Sequence, residues 1–171
     1  WHLMENKENR DIKAFFQAAN AFYLENKPLW DLDFSWEGFQ WICADDNQNN
    51  CASFLRKDSK GDFILAVCNF SPVHRPGYRL GVPYRGTYQC VFNSDDERFG
   101  GSGLGDKEPL SSEDIPMHGQ DQSLVIDIPP MSGVIYRCTR KKPALKKKTA
   151  KAAGTVKLTP VGKKRSTAKK S

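Results

Sequence analysis

Cys51-Ala52-Ser53-Phe54-Leu55-Arg56, then Asp58-Ser59-Lys60-Gly61-Asp62, then Phe63-Ile64-Leu65-Ala66-Val67-Cys68-Asn69-Phe70: this stretch decides the fold. The first run alternates as a short strand. The middle run is turn chemistry, because Asp and Ser side chains bond to nearby backbone and Gly accepts a positive φ. The third run is apolar on both faces. Strand, turn and strand predict a hairpin, and an apolar run without alternation predicts a central position in a sheet.

The same reading extends in both directions. Phe39, Trp41 and Cys43 alternate with Gln40, Ile42 and Ala44, which places Phe39 and Trp41 on the core side. Tyr78 to Val82, Thr87 to Asn93, Ser123 to Ile128 and Val134 to Cys138 read as further strands. About seven short strands separated by Gly and Pro predict a mainly β fold, an antiparallel sandwich. Residues 10–26 have a different period. Ile12, Phe15, Phe16, Ala19, Phe22 and Tyr23 form one apolar stripe of a helix that Pro28 ends. A stripe that aromatic needs a partner, either a sheet face or a domain elsewhere. Left uncovered, it is an aggregation liability, and trimming residues 1–27 is expected to improve solubility.

Charge divides the chain. Of 26 Lys and Arg, 13 fall between Arg140 and Ser171, where there is no Asp or Glu. The preceding 139 residues hold the other 13 against 20 acids, a net charge of −7. An acidic body with a cationic tail excludes a uniformly basic nucleic-acid-binding domain. Composition predicts that 140–171 is disordered and open to weak polyanion contact; no aromatic is interleaved for base stacking. The apolar run Phe63 to Cys68 falls far short of the ~20 residues of a membrane helix, so no membrane role is expected. Cysteines 43, 51, 68, 90 and 138 lie singly in strand-like runs. They read as reduced thiols of a cytoplasmic protein, with a disulfide between two neighbouring strands as the alternative, and there is neither zinc spacing nor any other metal or cofactor motif.

Motifs for catalysis are absent. His74 and His118 stand in loops away from any nucleophile elbow. The acid groups Asp31 with Asp33, Asp45 with Asp46, Asp95 with Asp96 and Glu97, and Glu113 with Asp114 border turns and read as solvated turn residues rather than a glycosidase pair. Gly100 to Gly105 fails the dinucleotide pattern because Asp106 takes its last place, leaving a flexible or substrate-side loop in the long stretch Ser94 to Gln122, where no strand is expected. Among the crowded aromatics Trp30, Trp36, Phe39 and Trp41, Trp36 lies in the turn Ser35-Trp36-Glu37-Gly38. Flat side chains bind the apolar faces of sugar rings, so Trp36 is the candidate glucan contact.

Trp1-His2-Leu3-Met4, Asn20-Ala21-Phe22-Tyr23, Pro28-Leu29-Trp30-Asp31-Leu32-Asp33, Glu37-Gly38-Phe39-Gln40-Trp41-Ile42, Asn69-Phe70-Ser71-Pro72-Val73, Tyr78-Arg79-Leu80-Gly81-Val82-Pro83, Asn93-Ser94-Asp95 and Gly100-Gly101-Ser102-Gly103 occur in this order. In that order they resemble the C-terminal part of bacterial glycogen branching enzymes of the α-amylase superfamily. The resemblance implies that residues 1–27 end a catalytic (β/α)8 barrel, that 28–139 form its C-terminal all-β domain, and that the tail 140–171 has no counterpart. It implies α-glucan, glycogen or amylose, as substrate, cleavage of an α-1,4 bond and re-attachment of the chain through an α-1,6 bond. The family's Asp nucleophile and Glu acid/base lie on upstream barrel strands, so no catalytic residue is assigned here and the chain alone is expected to be inactive. Two alternatives remain: a stand-alone α-glucan-binding sandwich, or a polyanion binder acting through the tail.

Overall fold

The computed structural model describes residues 2–140. One helix, α1 (Lys7–Glu25), precedes eight strands: β1 (Phe39–Asp46), β2 (Cys51–Lys57), β3 (Phe63–Asn69), β4 (Arg75–Val82), β5 (Gly86–Asn93), β6 (Leu110–Ser111), β7 (Gln122–Ile128) and β8 (Ser132–Arg140). A six-stranded antiparallel sheet runs β1-β2-β3-β8-β5-β6, and β4 pairs with β7 in a second, two-stranded sheet. This is the expected antiparallel β-sandwich.

The β2–β3 hairpin forms as its residues dictate. Asp58, buried, accepts hydrogen bonds at one carboxylate oxygen from the Lys60 and Asp62 amides, both at 2.9 Å. Gly61 supplies the positive φ of the turn, 81°. β3 then lies between β2 and β8, with Leu65 opposite Leu55 on one side and Tyr136 on the other. Leu55, Leu65, Val67, Val134 and Tyr136 meet Leu80, Val82, Leu124, Ile126 and Ile128 from the second sheet in one core.

β1 departs from the expected facing. Ile42 reaches the core, while Trp41 is 53% exposed and Phe39 half-buried. Phe39 and Trp41 occupy the outer face instead. Alternation had identified the two sides of the strand but not which side is inside. Register shifts between Trp41 and Cys43 and between Cys43 and Asp46 also bend this edge strand, as bulges do. β4 starts earlier than expected because Pro76 sits on an edge strand, where a missing donor is tolerated, and Gly77 (φ 68°) absorbs a register shift.

The stretch Ser94 to Gln122 is organised rather than free. β6 pairs with Thr87 and Tyr88, and Glu113 bridges to Ser123. Asp95 accepts hydrogen bonds from the Ser102 amide at 3.1 Å and the Leu104 amide at 3.2 Å, and its carbonyl accepts from Gly103 at 2.8 Å. A Cβ at Gly101 would lie 2.2 Å from the Asp95 carbonyl oxygen. The loop amides that could cradle a phosphate are thus engaged by Asp95.

Asp106, which broke the glycine pattern, is a core anchor. Tyr136 is fully buried, and its hydroxyl donates to Asp106 Oδ2 at 2.6 Å; the Asp127 amide donates to the same oxygen at 3.0 Å. Burial, reinforced by this carboxylate, pushes the Tyr136 phenol far above its ordinary range. Asp106→Ala is expected to cost about 2–3 kcal/mol in urea unfolding, because it leaves a buried hydroxyl without an acceptor. Asp106→Asn should cost less than half as much, and equal losses would show that the hydroxyl contact is not the cause.

α1 starts at Lys7, three residues before the expected 10, because Asn6 caps it: its side chain accepts from the Glu8 amide at 3.0 Å. The apolar stripe splits in two. Phe15 packs against Phe92 and Phe99 with ring centroids 6.1 and 5.5 Å apart, and Phe22 lies 5.2 Å from Phe92. Ile12, Phe16, Tyr23 and Leu24 stay exposed, Phe16 at 59% and Leu24 at 72%. The expected exposure therefore holds for Phe16 and Tyr23 but not for Phe15 and Phe22. Trimming residues 1–27 would uncover Phe92 and Phe99, so the structure does not support it as a solubilising change.

Arg140, where the tail was expected to start, is the last residue of β8. Its guanidinium lies 4.1 Å from the Tyr84 ring centroid. Residues 141–171, the rest of the expected disordered tail, lie outside the described residues. No helix among the described residues is long and apolar enough to cross a membrane.

Candidate glucan-contact surface

Trp36 is displayed by a loop whose other residues hold it in place. Asp31 accepts from the Ser59 amide at 2.9 Å and the Ser59 hydroxyl at 2.6 Å, and these bonds, led by the hydroxyl's, hold its carboxyl below the usual carboxylate range. Asp33 pairs with Arg56 at 2.7 Å, and Arg56 also donates to the Leu29 carbonyl at 2.9 Å. Ser35 caps the single turn Trp36–Gly38 by accepting from the Glu37 amide. Gly38 is buried against Leu32; a Cβ there would lie 2.3 Å from the Leu32 carbonyl oxygen, so the chain can fold back only at glycine. The anchored loop leaves Phe34 and Trp36 outward, Trp36 at 85% exposure.

Beside it lies an aromatic cluster on the outer face of the six-stranded sheet. Phe39 stacks on Phe54 at 5.2 Å, and Trp41 meets both rings edge-on at 4.9 and 5.8 Å. Register carries the apolar character further: Trp41 is opposite Phe54, Phe54 opposite Ala66, Ala66 opposite Ile135, and Ile135 opposite Phe92. This belt crosses five strands. α1 covers its Phe92 end through Phe22, and the Trp41 end is open. The exposure expected of Trp36 holds, whereas Phe54 and Ile135 were not anticipated on this face. Their alternation was visible, yet a two-faced strand gives no sign of which face lacks a partner.

Most of the acidic groups are engaged in structure, whereas Asp45 is exposed and its carboxylate is approached by the Cys43 thiol at 4.0 Å. Asp96 caps a short turn through the Arg98 amide, Glu113 pairs with Arg79 at 2.7 Å, and Asp114 with Arg85 at 3.3 Å. Asp46 accepts from the Tyr78 hydroxyl at 2.7 Å and from the Asn49 amide and side chain. Its burial would raise its pKa, but these hydrogen bonds outweigh that and hold the carboxyl below its ordinary value. His74 Nε2 lies 2.5 Å from Asp127 Oδ1, and His118 Nδ1 accepts from the Gly81 amide at 3.3 Å. All five cysteines are free; burial pushes the Cys90 thiol up to about 11, which leaves little thiolate at neutral pH. No three His, Cys, Asp or Glu among the described residues are placed to hold a metal ion.

Similarity to known proteins follows the same bounds as the sandwich. The family described as the α-amylase C-terminal all-β domain matches residues 41–139. Curated relatives carry the name 1,4-alpha-glucan branching enzyme GlgB. That of Rubrobacter xylanophilus is 44% identical over 138 residues, covering 80% of this chain and 19% of the relative. That of Aquifex aeolicus is 42% identical over 137 residues, covering 80% and 22%. That of Aromatoleum aromaticum is 40% identical over 132 residues, covering 77% and 21%. The chain spans about a fifth of the length of these relatives. The matched residues run from β1 to β8, and the chain belongs to the α-amylase C-terminal all-β domain family.

Proposed function

We propose that this chain is the C-terminal portion of a 1,4-α-glucan branching enzyme, a retaining glycosyltransferase of glycogen biosynthesis. The observation that carries the proposal is identity of 40–44% to proteins of that name, sustained over about four fifths of the chain. Residues 1–27 then end a catalytic barrel, 28–139 form the all-β domain and 140–171 a Lys-rich extension. The open half of the α1 stripe and the aromatic belt support this division, because a barrel would cover both. The acid and nucleophile of the reaction belong to that barrel, so the chain alone is inactive. Free thiols in every strand-borne cysteine position support a cytoplasmic setting.

The test is branching of amylose by this chain and by the longer protein that includes a barrel. Only the longer protein is expected to form α-1,6 linkages; branching by the 171-residue chain would overturn the assignment. Trp36 is proposed to help hold long glucan. Trp36→Ala is expected to weaken retardation of the longer protein in amylopectin gels by about three- to tenfold, the scale of one exposed aromatic contact. The tail's proposed polyanion contact is weak and electrostatic, and it rests on charge alone.

A further inference from the structure

We propose that the cleft between β1 and β4, at the open edge of the sandwich, is a second saccharide subsite, separate from the Trp36 surface. Its ligand would be a neutral polyhydroxylated chain, and naming that chain α-glucan rests on the function proposed above.

The cleft encloses about 510 Å³ and is lined by Asp45, Asp46, Asn49, Tyr78, Arg79 and His118, among others. Both strands that flank it are bulged, β1 at Cys43–Asp46 and β4 at Arg75–Tyr78. Such bulges re-aim side chains next to sites. Its floor is held still. The Tyr78 hydroxyl donates to Asp46, and Asn49 is bonded to both Asp46 oxygens. Its roof is the turn Met117–Gln120, closed by reciprocal backbone bonds of 3.0 and 2.9 Å. That turn presses on β4 at Gly81, where a Cβ would lie 2.1 Å from the Met117 carbonyl oxygen. His118 is held at φ 48°, a region few non-glycine residues adopt. The fold thus keeps an imidazole where glycine would be easier.

The groups suit hydroxyls rather than ions. With Nδ1 accepting the Gly81 amide, the imidazole proton lies on Nε2, a donor with no hydrogen-bond partner among the described residues. Asp45 is exposed at the rim, its carboxylate met by a 4.0 Å approach from the Cys43 thiol, and it offers carboxylate acceptors. Adjacent sugar hydroxyls donate and accept together, which this pairing of donor and acceptor matches. The Tyr78 and His118 rings, 6.5 Å apart and inclined by 34°, give flat surfaces for the apolar side of a pyranose. An anionic ligand would meet Asp45 and Asp46, and Arg79 is already engaged by Glu113 and Ser123.

The experiment is retardation of the intact protein in native gels cast with amylopectin. His118→Gly removes the imidazole, and with it the acceptor of the Gly81 amide, while easing the backbone, so it is read beside its urea-unfolding midpoint; Asp45→Ala alters an exposed rim position and leaves the fold intact. Each is expected to weaken retardation by about tenfold, the loss of one or two hydrogen bonds to bound sugar. Unchanged retardation in both, or loss only with Trp36→Ala, overturns the cleft. A protein that branches amylose yet is not retarded overturns the cleft, and the Trp36 contact with it, but leaves the branching function standing. A protein that neither branches nor is retarded overturns the function proposed above, and the cleft with it.

Discussion

Phe16→Asp combined with Leu24→Asp is expected to raise the soluble yield of the 171-residue chain and to lower the branching activity of the longer protein more than tenfold. The opposite signs have one cause. Both residues are exposed on the half of α1 that does not reach the sandwich. In the chain alone, two carboxylates break an apolar patch and suppress association. Against a covering barrel, each substitution loses roughly 2 kcal/mol of apolar burial and places an unpaired charge in the interface. The two together exceed the ~1.4 kcal/mol of a tenfold effect about threefold, before the charges are considered. Light scattering of the chain and an iodine-based branching assay of the longer protein read the two arms. Full activity in the longer protein would mean that nothing covers this face of α1. Phe15→Asp is the contrasting case and should harm both proteins, because Phe15 already packs on Phe92 and Phe99.

Leu65→Ala is expected to destabilise the sandwich by about 3–4 kcal/mol, the middle of the range for a buried leucine that leaves a cavity. Leu65 is 0% exposed and lies on the inner face of β3. Its neighbours on both sides, Leu55 and Tyr136, are paired strand residues with no freedom to collapse into the void. Val125→Ala, on the outer side of β7 and 37% exposed, should cost well under half as much. Urea unfolding followed by tryptophan fluorescence compares them. Equal losses would mean that the core does not centre on β3.

Much of this architecture was legible in the residues. The Asp58–Asp62 turn, the two-faced apolar run of β3 and the helical stripe each follow from local chemistry: side chain to backbone bonds, a two-residue period, a 3.6-residue period. The glycine loop, expected to be flexible or substrate-side, is instead organised around Asp95. What stayed hidden was pairing at a distance. Asp106 looked like the residue that spoiled a motif, and its role appears only when Tyr136, thirty positions away, is brought to it. β6 is two residues long and has no signal of its own; it exists because Thr87 and Tyr88 offer an open edge.

The candidate surface divides in the same way. Trp36 was identifiable because a capped turn of Ser, Trp, Glu and Gly leaves few inward directions. Trp41 was assigned to the core and is not there, since alternation marks two faces and only the position of the second sheet says which is inside. The cleft at Tyr78 and His118 could not be read along the chain at all: its walls come from β1, β4 and the turn Met117–Gln120. By itself the sequence determined the main elements, β6 apart, their order and the sandwich class, because those depend on short-range periodicity and turn chemistry. Tertiary structure alone decided which aromatic faces are left open and which polar groups converge, because both depend on what packs against each element from a distant part of the chain.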